Sequence, residues 1–297
     1  MNVLRGLLGM RRPASLPGTL TFASKRGVTG RLLAQRSARA GIFIALLLFI
    51  VTFLIPFVWP YQPERMNVAE KLSSPSLAHP LGTDQYGRDQ LARIMDGGRR
   101  SLGAALVVLS GVLVISLCVG VTVGVIGGVV DAVAMRLVDI LLALPPLVLA
   151  LAVVGVLGVG FKNLLLALVA SSWAYYARLA RSLVRLARKR QDVIADRLAG
   201  VGWTRITVGH IVPGVLAQLA IVATLDLGGI IIGVAGLSFL GLGVQPPDAE
   251  WGAMLSESRL FFTVAPWLLF APAAAIFFSV VSANLIGNAL RNAADYN

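Results

Sequence analysis

The chain has 297 residues, of which 57% are hydrophobic and only 13% are charged, and its mean hydropathy is +0.81. A soluble domain is excluded, because the apolar residues come in blocks near the roughly 20 residues that cross a bilayer core. The net charge of +12 does not indicate nucleic-acid binding, since the basic residues form no soluble face interleaved with aromatic side chains. We therefore predict an all-α integral membrane protein in contact with lipid.

Six apolar blocks predict six transmembrane helices. Each block is long enough to cross a bilayer as an α-helix. A cleaved signal peptide is the rival interpretation of the first block, but this block starts forty residues into the chain and lacks a small-x-small cleavage pattern. The predicted spans are residues 41–60, 102–130, 133–158, 164–184, 211–241 and 263–290.

The distribution of basic residues predicts that both termini are cytoplasmic. Residues 1–40 carry eight Lys or Arg and no acid, and residues 178–210 carry eight basic residues against two acids. Positive charge is enriched on the cytoplasmic side of membrane proteins, whereas the predicted outer segments here are balanced or acidic. The resulting organisation is a cytoplasmic tail at 1–40, a first span at 41–60, an extracytoplasmic segment at 61–101, a transmembrane core at 102–290 that includes a cytoplasmic loop at 191–210, and a cytoplasmic tail at 291–297.

The outer segment between the first two spans predicts a short amphipathic helix. Thr83 fits an N-cap, Asp84 falls in the first turn, and the pair Gly97-Gly98 is expected to end the helix. This helix either rests on the outer mouth of the bundle or helps to receive a substrate-delivering partner. Three pairs with the acid first and a spacing of four support it: Asp84 with Arg88, Asp89 with Arg93, and Asp96 with Arg100.

Small residues and prolines inside the spans predict close helix packing and kinks. Gly120 with Gly124, and Gly229 with Gly233, have the small-xxx-small spacing that lets helix backbones approach each other in lipid. The adjacent Pro145 and Pro146 interrupt the third span and predict a kink there.

Asp226 is the one carboxylate deep inside a predicted span. An ionisable group at that depth is a functional candidate, because its burial in a bilayer costs about 3 kcal/mol or more. A protonated Asp226, or one that is hydrogen-bonded to a neighbouring helix, is an equally good interpretation. A single acid makes a poor proton relay, so an ion-coupled carrier is the weaker of two transport hypotheses.

Motifs for catalysis or for resident cofactors are missing from the sequence. The chain contains no G-x-x-x-x-G-K-[ST] phosphate loop and no H-E-x-x-H zinc motif. Its two histidines, His79 and His210, fall on opposite sides of the predicted membrane and cannot share a metal ion. Cys118 is the only cysteine, which excludes an intrachain disulfide. We expect a non-enzymatic protein without a metal or cofactor of its own.

Three motifs in order carry a family resemblance: HPLGTDQYGRDQLARIMDGGRRSL from His79, DILLALPPLVLAL from Asp139, and GLSFLGLGVQPPDAEWGAML from Gly236. Together they resemble the ABC-importer permeases of the dipeptide, oligopeptide and nickel family, and more specifically the C-type of its two permease subunits. The resemblance covers about residues 30–297. It implies the type I importer fold with six spans in the inner membrane.

The resemblance also implies partners and their substrates. These are a second permease subunit, two cytoplasmic ATPases that hold ATP and Mg²⁺, and an extracytoplasmic solute-binding protein. Peptides are the expected substrate, and nickel or another small solute is the alternative. The outer residues expected to face the delivering partner are Asp84, Arg88, Asp89, Pro246 and Trp251.

In such permeases a short cytoplasmic helix, the EAA loop, couples the membrane subunit to the ATPase. Here Ile194, Ala195 and Asp196 occupy the EAA positions, so the first Glu is replaced by Ile and the second Ala by Asp. An apolar stripe for docking is predicted from Ile194, Leu198 and Val201 at helical spacing. Gly200 and the closing proline, Pro213, match the family pattern, and Gly200 with Gly202 is expected to allow a turn before the next span.

Overall fold

The computed structural model describes residues 32–294, which are predominantly helical. Within that range the only β-type pairing is an isolated bridge between Thr83 and Asp89, so the all-α prediction is confirmed. Most of the predicted tail at 1–40, and the last residues of the tail at 291–297, lie outside the described residues. The helices are α1 Arg36–Phe49, α2 Gln90–Ile126, α3 Gly128–Leu142, α4 Pro146–Leu157, α5 Phe161–Ala187, α6 Gln191–Leu198, α7 Trp203–Ile206, α8 Val212–Phe239, α9 Trp251–Ser258 and α10 Trp267–Ala294.

Four helical runs in the described part of the chain are long and apolar enough to cross a membrane. A fifth crossing is obtained if α3 and α4, which are bent by 94° at their break, count as one span. Helix α5 has 27 residues, but it carries Lys162 near its start and three arginines in its second half, and it is not among the four. The four runs are Arg36–Phe57, Gln90–Ile126, Trp203–Phe239 and Trp267–Ala294.

The C-terminal end of the first span departs from α-helical geometry. Helix α1 continues as a π-turn at Ile50–Leu54 and a 3₁₀ turn at Ile55–Phe57. Pro56 has no backbone N–H, so it cannot donate to the carbonyl of Thr52 four residues earlier. The Arg99 side chain of α2 donates to that carbonyl instead, with Nε 3.0 Å from the oxygen. This bond fixes the first span to α2.

Helix α1 packs along α10. A side chain on Gly41 would clash with α10, because a Cβ there would lie 2.9 Å from the Cβ of Leu285. Close approach lets the Ser282 hydroxyl donate to the Gly41 carbonyl at 2.9 Å. At the end of the same seam, Gln35 Nε2 donates to the Ala289 carbonyl at 3.2 Å. The start of α1 and the end of α10 therefore lie at the same end of the bundle.

The prediction of a separate short amphipathic helix before the second span is wrong. A single helix, α2, starts at Gln90 and runs without interruption through Gly97 and Gly98. Its N-cap is Asp89, which accepts a hydrogen bond from the Ala92 backbone N–H at 2.7 Å. The two glycines do not end the helix, because they are contact points: a Cβ on Gly98 would lie 2.8 Å from the Trp251 ring.

Of the two glycine pairs predicted to pack against a neighbouring helix, the pair Gly120 and Gly124 does so. A Cβ on Gly120 would lie 2.8 Å from the carbonyl oxygen of Ala177, and one on Gly124 would lie 2.8 Å from the Cβ of Val184. This seam joins α2 to α5, which together form the centre of the hydrophobic core. The prediction for Gly229 is wrong, because a Cβ there would meet no atom within 4 Å and the residue instead borders a cavity.

The third predicted span, residues 133–158, is two helices and not one kinked helix. Helix α3 ends at Leu142, and α4 begins at Pro146, whose missing N–H is tolerated in a first helical turn. The Asp131 carboxylate of α3 binds Arg181 and Arg185 of α5, and Asp139 binds Arg178. These ion pairs hold α3 against α5 on the side where α5 ends.

Candidate functional site

A polar segment with one short helix follows α5. Helix α6 ends in a tight turn in which the Gly200 N–H donates to the Arg197 carbonyl and the Val201 N–H donates to the Asp196 carbonyl. Gly200 has a φ of +83°, a left-handed conformation that favours glycine and closes a helix in this way. Gly202 then forms the N-cap of α7. The glycines therefore turn the chain sharply between α6 and the run that leads into α8.

One face of α6 is anchored to the bundle. The Val193 side chain is buried in the same core cluster as Ile206 and Ile211, which precede α8. The Asp196 carboxylate lies 2.8 Å from His210 Nδ1. The guanidinium of Arg197 lies over the Trp203 ring, 4.4 Å from its centre. Apolar packing, a carboxylate–imidazole contact and a cation–π contact thus join α6 to the start of the helical run Trp203–Phe239.

The opposite face of α6 is apolar and exposed. Ile194 is 45% exposed and Leu198 is 85% exposed, and Ala195 beside them is exposed too. Val201 belongs to a different environment, because it is partly buried against the main core. The predicted stripe is therefore divided, with the two residues of α6 facing outward and Val201 facing the bundle. Pro213 lies exposed in the first turn of α8.

Charged side chains surround this segment. Arg190 binds the Asp192 carboxylate with both a 3.1 Å bond from Nε and a 2.7 Å bond from Nη2. Desolvation opposes the ionised form of Asp192, but the Arg190 bond and the Val193 N–H prevail and lower the pKa of this carboxyl. Arg188 donates to the carbonyl oxygens of Gly124 and Val125 at the end of α2. The end of α2 thus lies at the same end of the bundle as α6.

At the other end of the bundle, residues 59–89 and 244–262 form a cap. A buried charge cluster lies at its centre: Arg93 Nη2 is 3.0 Å from Glu257, and Arg88 Nε is 2.5 Å from Asp84. Both guanidinium groups also donate to the Pro247 carbonyl, that of Arg88 at 3.4 Å and that of Arg93 at 3.2 Å. The two arginine side chains are each 1% exposed. These bonds join the two cap segments, which are remote in sequence.

A second set of cap contacts surrounds Trp251. The indole N–H donates to the Ile94 carbonyl at 2.9 Å, and the Trp251 backbone N–H donates to the Ser101 hydroxyl at 3.1 Å. The Ser101 hydroxyl donates in turn to the buried Glu250 carboxylate at 2.7 Å. Trp251, the first residue of α9, therefore fixes that helix to α2.

The predicted direct contact of several cap residues with a partner conflicts with their burial. Asp84, Arg88, Asp89 and Trp251 are at most 3% exposed, so they hold the cap together and offer no side-chain surface to a second protein. Asp89 does not bind Arg93 as predicted, because it accepts from Ala92 and Trp59 and lies 2.8 Å from His79 Nδ1. Pro246 is exposed, as a contact residue requires.

A cavity of about 380 Å³ lies between the two ends of the bundle. Its wall is mostly apolar and includes Leu147 of α4, with the Ser171 and Ser172 side chains of α5 among its few polar groups. Asp226 of α8 lines it and accepts a 2.7 Å hydrogen bond from the Tyr176 hydroxyl. The sequence identified Asp226 but not this cavity, because no local pattern reports a space formed by five helices spread along the chain, α2, α3, α4, α5 and α8.

No group of three or more His, Cys, Asp or Glu side chains suited to a metal ion occurs among the described residues. His79 lies in the cap beside Asp89, whereas His210 lies beside Asp196 near α6. The two histidines are therefore at opposite ends of the bundle.

Comparison with known proteins gives the family. Residues 116–295 match the model of the binding-protein-dependent transport system inner membrane component, and residues 26–78 match the N-terminal transmembrane domain of oligopeptide transport permease C. The chain belongs to the permease family of binding-protein-dependent ABC importers. The predicted resemblance is thereby confirmed, and the chain is a multi-pass membrane permease component.

Several relatives of known name cover almost the whole chain. The chain is 41% identical over 264 residues to the nickel transport system permease protein NikC of Escherichia coli (strain K12), which covers 89% of this chain and 95% of the relative. It is 40% identical over 293 residues to the di/tripeptide transport system permease protein DppC of Pseudomonas aeruginosa (strain UCBPP-PA14), with 95% of each chain covered. It is 37% identical over 266 residues to the glutathione transport system permease protein GsiD of Pectobacterium atrosepticum, with 89% and 88% covered.

Proposed function

We propose that this permease is one of two membrane subunits of an ATP-driven importer that moves dipeptides or oligopeptides across the bacterial inner membrane. Two cytoplasmic ATPase subunits bind ATP and Mg²⁺ and hydrolyse the nucleotide, while an extracytoplasmic solute-binding protein delivers the peptide. The observation that carries the proposal is α6, which exposes Ile194 and Leu198 on one face and is fixed to the bundle by the other.

The proposed orientation has six membrane crossings, with α5 and the bent pair of α3 and α4 counted. Both termini and α6 are on the cytoplasmic side. The contact between Gln35 and Ala289 supports this arrangement, since it brings the two ends of the described chain together. The eight basic residues within 178–210 give that end of the bundle its positive charge. The cap then faces the outside.

The proposed mechanism is alternating access driven through α6. A groove of the ATPase receives the exposed Ile194 and Leu198, and nucleotide-driven closure of the ATPases displaces the helix. The displacement reaches α8 because His210 and Trp203 lie in the continuous helical run Trp203–Phe239. Helix α8 forms one wall of the cavity, so the same movement changes which side of the membrane the cavity faces.

The cap is the proposed receiving surface for the solute-binding protein. Its buried charge cluster around Arg88, Arg93 and Glu257 gives it a fixed shape, and the exposed Pro246 lies on its surface. A fixed surface is an advantage here, because a partner that docks on it pays little ordering entropy.

Peptide is preferred to nickel as the substrate, and nickel is the second candidate because a named nickel permease is 41% identical. Named relatives that carry di/tripeptides and glutathione match the chain at 40% and 37% identity. Imidazole is a ligand that suits nickel ions in proteins. The described part of the cavity wall offers a carboxylate, two phenols and serine hydroxyls but no histidine, which supports the peptide hypothesis.

The test is uptake by the complete complex in proteoliposomes, assembled with the second permease, the ATPases and the solute-binding protein encoded beside this chain. We expect ATP-dependent uptake of labelled di- or tripeptides. The Leu198→Asp variant is expected to lose the ATPase subunits during purification, whereas the control Gln191→Asp, also exposed on α6, retains them. Ion-driven uptake by the lone chain would overturn the proposal, and uptake of nickel without peptide would favour the alternative.

A further inference from the structure

Asp226 lies near the middle of α8 and borders the cavity. Its Oδ2 atom accepts a hydrogen bond from the Tyr176 hydroxyl, which is held in place because the Tyr176 ring is only 3% exposed. Among the described residues no other hydrogen-bond donor reaches this carboxylate, and no cationic side chain lies within 4.0 Å of it. The carboxylate therefore presents an unused oxygen atom to the cavity.

A charged Asp226 needs a counter-charge that no side chain within residues 32–294 provides at ion-pair distance. A single phenol hydroxyl orients the carboxylate but leaves its negative charge uncompensated, and an uncompensated charge within a bilayer is strongly disfavoured. The arginines of the facing helix α5 are already engaged, since Arg178 binds Asp139, and Arg181 and Arg185 bind Asp131. Among the described residues no cation lies within 4.0 Å of Asp226, which leaves the site open to a cation from another molecule.

The space beside Asp226 is open. Gly229 lies nearly one turn further along α8, and a Cβ at that position would meet no atom within 4 Å. The cavity volume of about 380 Å³ falls within the range of roughly 300–1,000 Å³ that is typical of small-molecule sites. Leu147, Ile230 and other apolar side chains form most of the wall, so the carboxylate is the dominant polar feature.

We propose that Asp226, oriented by Tyr176, binds the α-ammonium group of a peptide during its passage through the permease. This inference rests on the proposed function and names the chemical group that the cavity recognises. An ammonium group has three donors and one charge, and a single carboxylate with a nearby hydroxyl satisfies most of it. A divalent metal ion needs several ligand atoms in fixed geometry, which this wall does not supply.

The test compares the wild-type complex with the variants Asp226→Asn, Asp226→Glu and Tyr176→Phe in proteoliposomes. The peptide is a labelled tripeptide with a free amino terminus, and nickel ion alone is a parallel substrate. We expect Asp226→Asn to lower tripeptide uptake by about tenfold or more, the loss expected for one charge-assisted hydrogen bond. Asp226→Glu keeps the charge and should retain most of the uptake, and Tyr176→Phe should lie between the two.

A second measurement reports the contact directly. Carbodiimide coupling joins a carboxylate to a nearby amine, so millimolar tripeptide amide added to the purified complex should become attached to Asp226, as detected by mass spectrometry. The N-acetylated tripeptide amide has no free amine and should not attach. Attachment of the first peptide alone supports the inference even where a substitution disturbs folding.

The outcomes separate the two proposals. If the wild-type complex imports no peptide on ATP, the proposed function fails. Suppose instead that the wild-type complex imports peptide but shows no peptide attached to Asp226, and that Asp226→Asn imports equally well. Only the present inference is then overturned. It is also overturned if Asp226→Asn abolishes assembly with the second permease, since a cation of that subunit would then be the partner of Asp226. Selective loss of nickel uptake would overturn it as well.

Discussion

His210 Nδ1 lies 2.8 Å from Asp196 Oδ2, which joins the short helix α6 to the turn that begins the run into α8. Asp196 is the position at which the chain departs from the EAA pattern by adding a carboxylate. The added carboxylate has a contact within the chain, because His210 lies within hydrogen-bonding distance of it. We therefore treat Asp196 and His210 as a tether between the proposed ATPase contact and the membrane helices.

Removing the tether should uncouple transport more than it destabilises the fold. Both side chains are partly exposed, and such pairs contribute about 0–1 kcal/mol to stability, so Asp196→Ala should unfold at nearly the wild-type temperature. We expect fewer peptides imported per ATP hydrolysed, measured as the ratio of the two rates in proteoliposomes. The exchanged pair Asp196→His with His210→Asp should recover the ratio. An unchanged ratio in Asp196→Ala would identify this departure as tolerated variation.

Gly200 should be intolerant of a side chain for a backbone reason alone. A Cβ at Gly200 would meet no atom within 4 Å, but the φ of +83° is costly for any other residue by about 1–2 kcal/mol. Gly200→Ala should therefore misplace the end of α6 and lower ATP-dependent uptake several-fold. Gly202 is the matched control, since it is equally open but has a φ of −64°. Comparable losses in Gly202→Ala would show that the left-handed turn is not the cause.

The sequence predicted the helical class and the approximate positions of the spans, because long apolar blocks have few alternatives to a membrane helix. The prediction from sequence failed between Thr83 and Gly98. Residues that were interpreted there as a helix N-cap and a helix end make tertiary contacts instead. Asp84 binds Arg88 outside any helix, and Gly98 accommodates the ring of Trp251, which is remote in sequence. Local propensity cannot register a partner so remote in sequence.

Only the part of the candidate site that lies within a single segment of the chain could be predicted from the sequence. The resemblance placed the EAA pattern here with Ile194 and Asp196 as departures, and the apolar stripe that it predicted is the exposed face of α6, apart from Val201. The anchoring by Val193 and the Arg197–Trp203 contact was not, because these depend on how α6 folds back on the bundle. The cavity beside Asp226 likewise exists only once five helices are assembled.

The seam between α2 and α5 should be sensitive to a single methyl group. Gly120→Ala would place a Cβ within 2.8 Å of the Ala177 carbonyl oxygen and closer still to the Ala180 side chain, so the helices must separate. Overpacking of this kind costs about 1–3 kcal/mol. Gly103→Ala on the same helix is the control, because a Cβ there meets no atom within 4 Å. Thermal unfolding in detergent should distinguish them, and equal melting temperatures would contradict the close packing.

The cap should depend on Glu257 more than on any exposed acid near it. Glu257→Gln would leave the buried Arg88 and Arg93 guanidinium groups with Asp84 as their only carboxylate partner, and breaking such a buried pair costs about 3 kcal/mol. Asp248→Asn is the control, since the Asp248 side chain is 47% exposed where it binds Arg100 and its loss should cost under about 1 kcal/mol.

Limited proteolysis of the cap measures this difference without unfolding the membrane helices. Faster cleavage within residues 244–262 is expected for Glu257→Gln, together with weaker docking of the solute-binding protein, because the exposed surface around Pro246 is held by the Arg88 and Arg93 bonds to the Pro247 carbonyl. If cleavage accelerates but docking is unchanged, the receiving surface lies elsewhere on the cap. If neither changes, Asp84 alone compensates both arginines, and the charge cluster does not depend on α9.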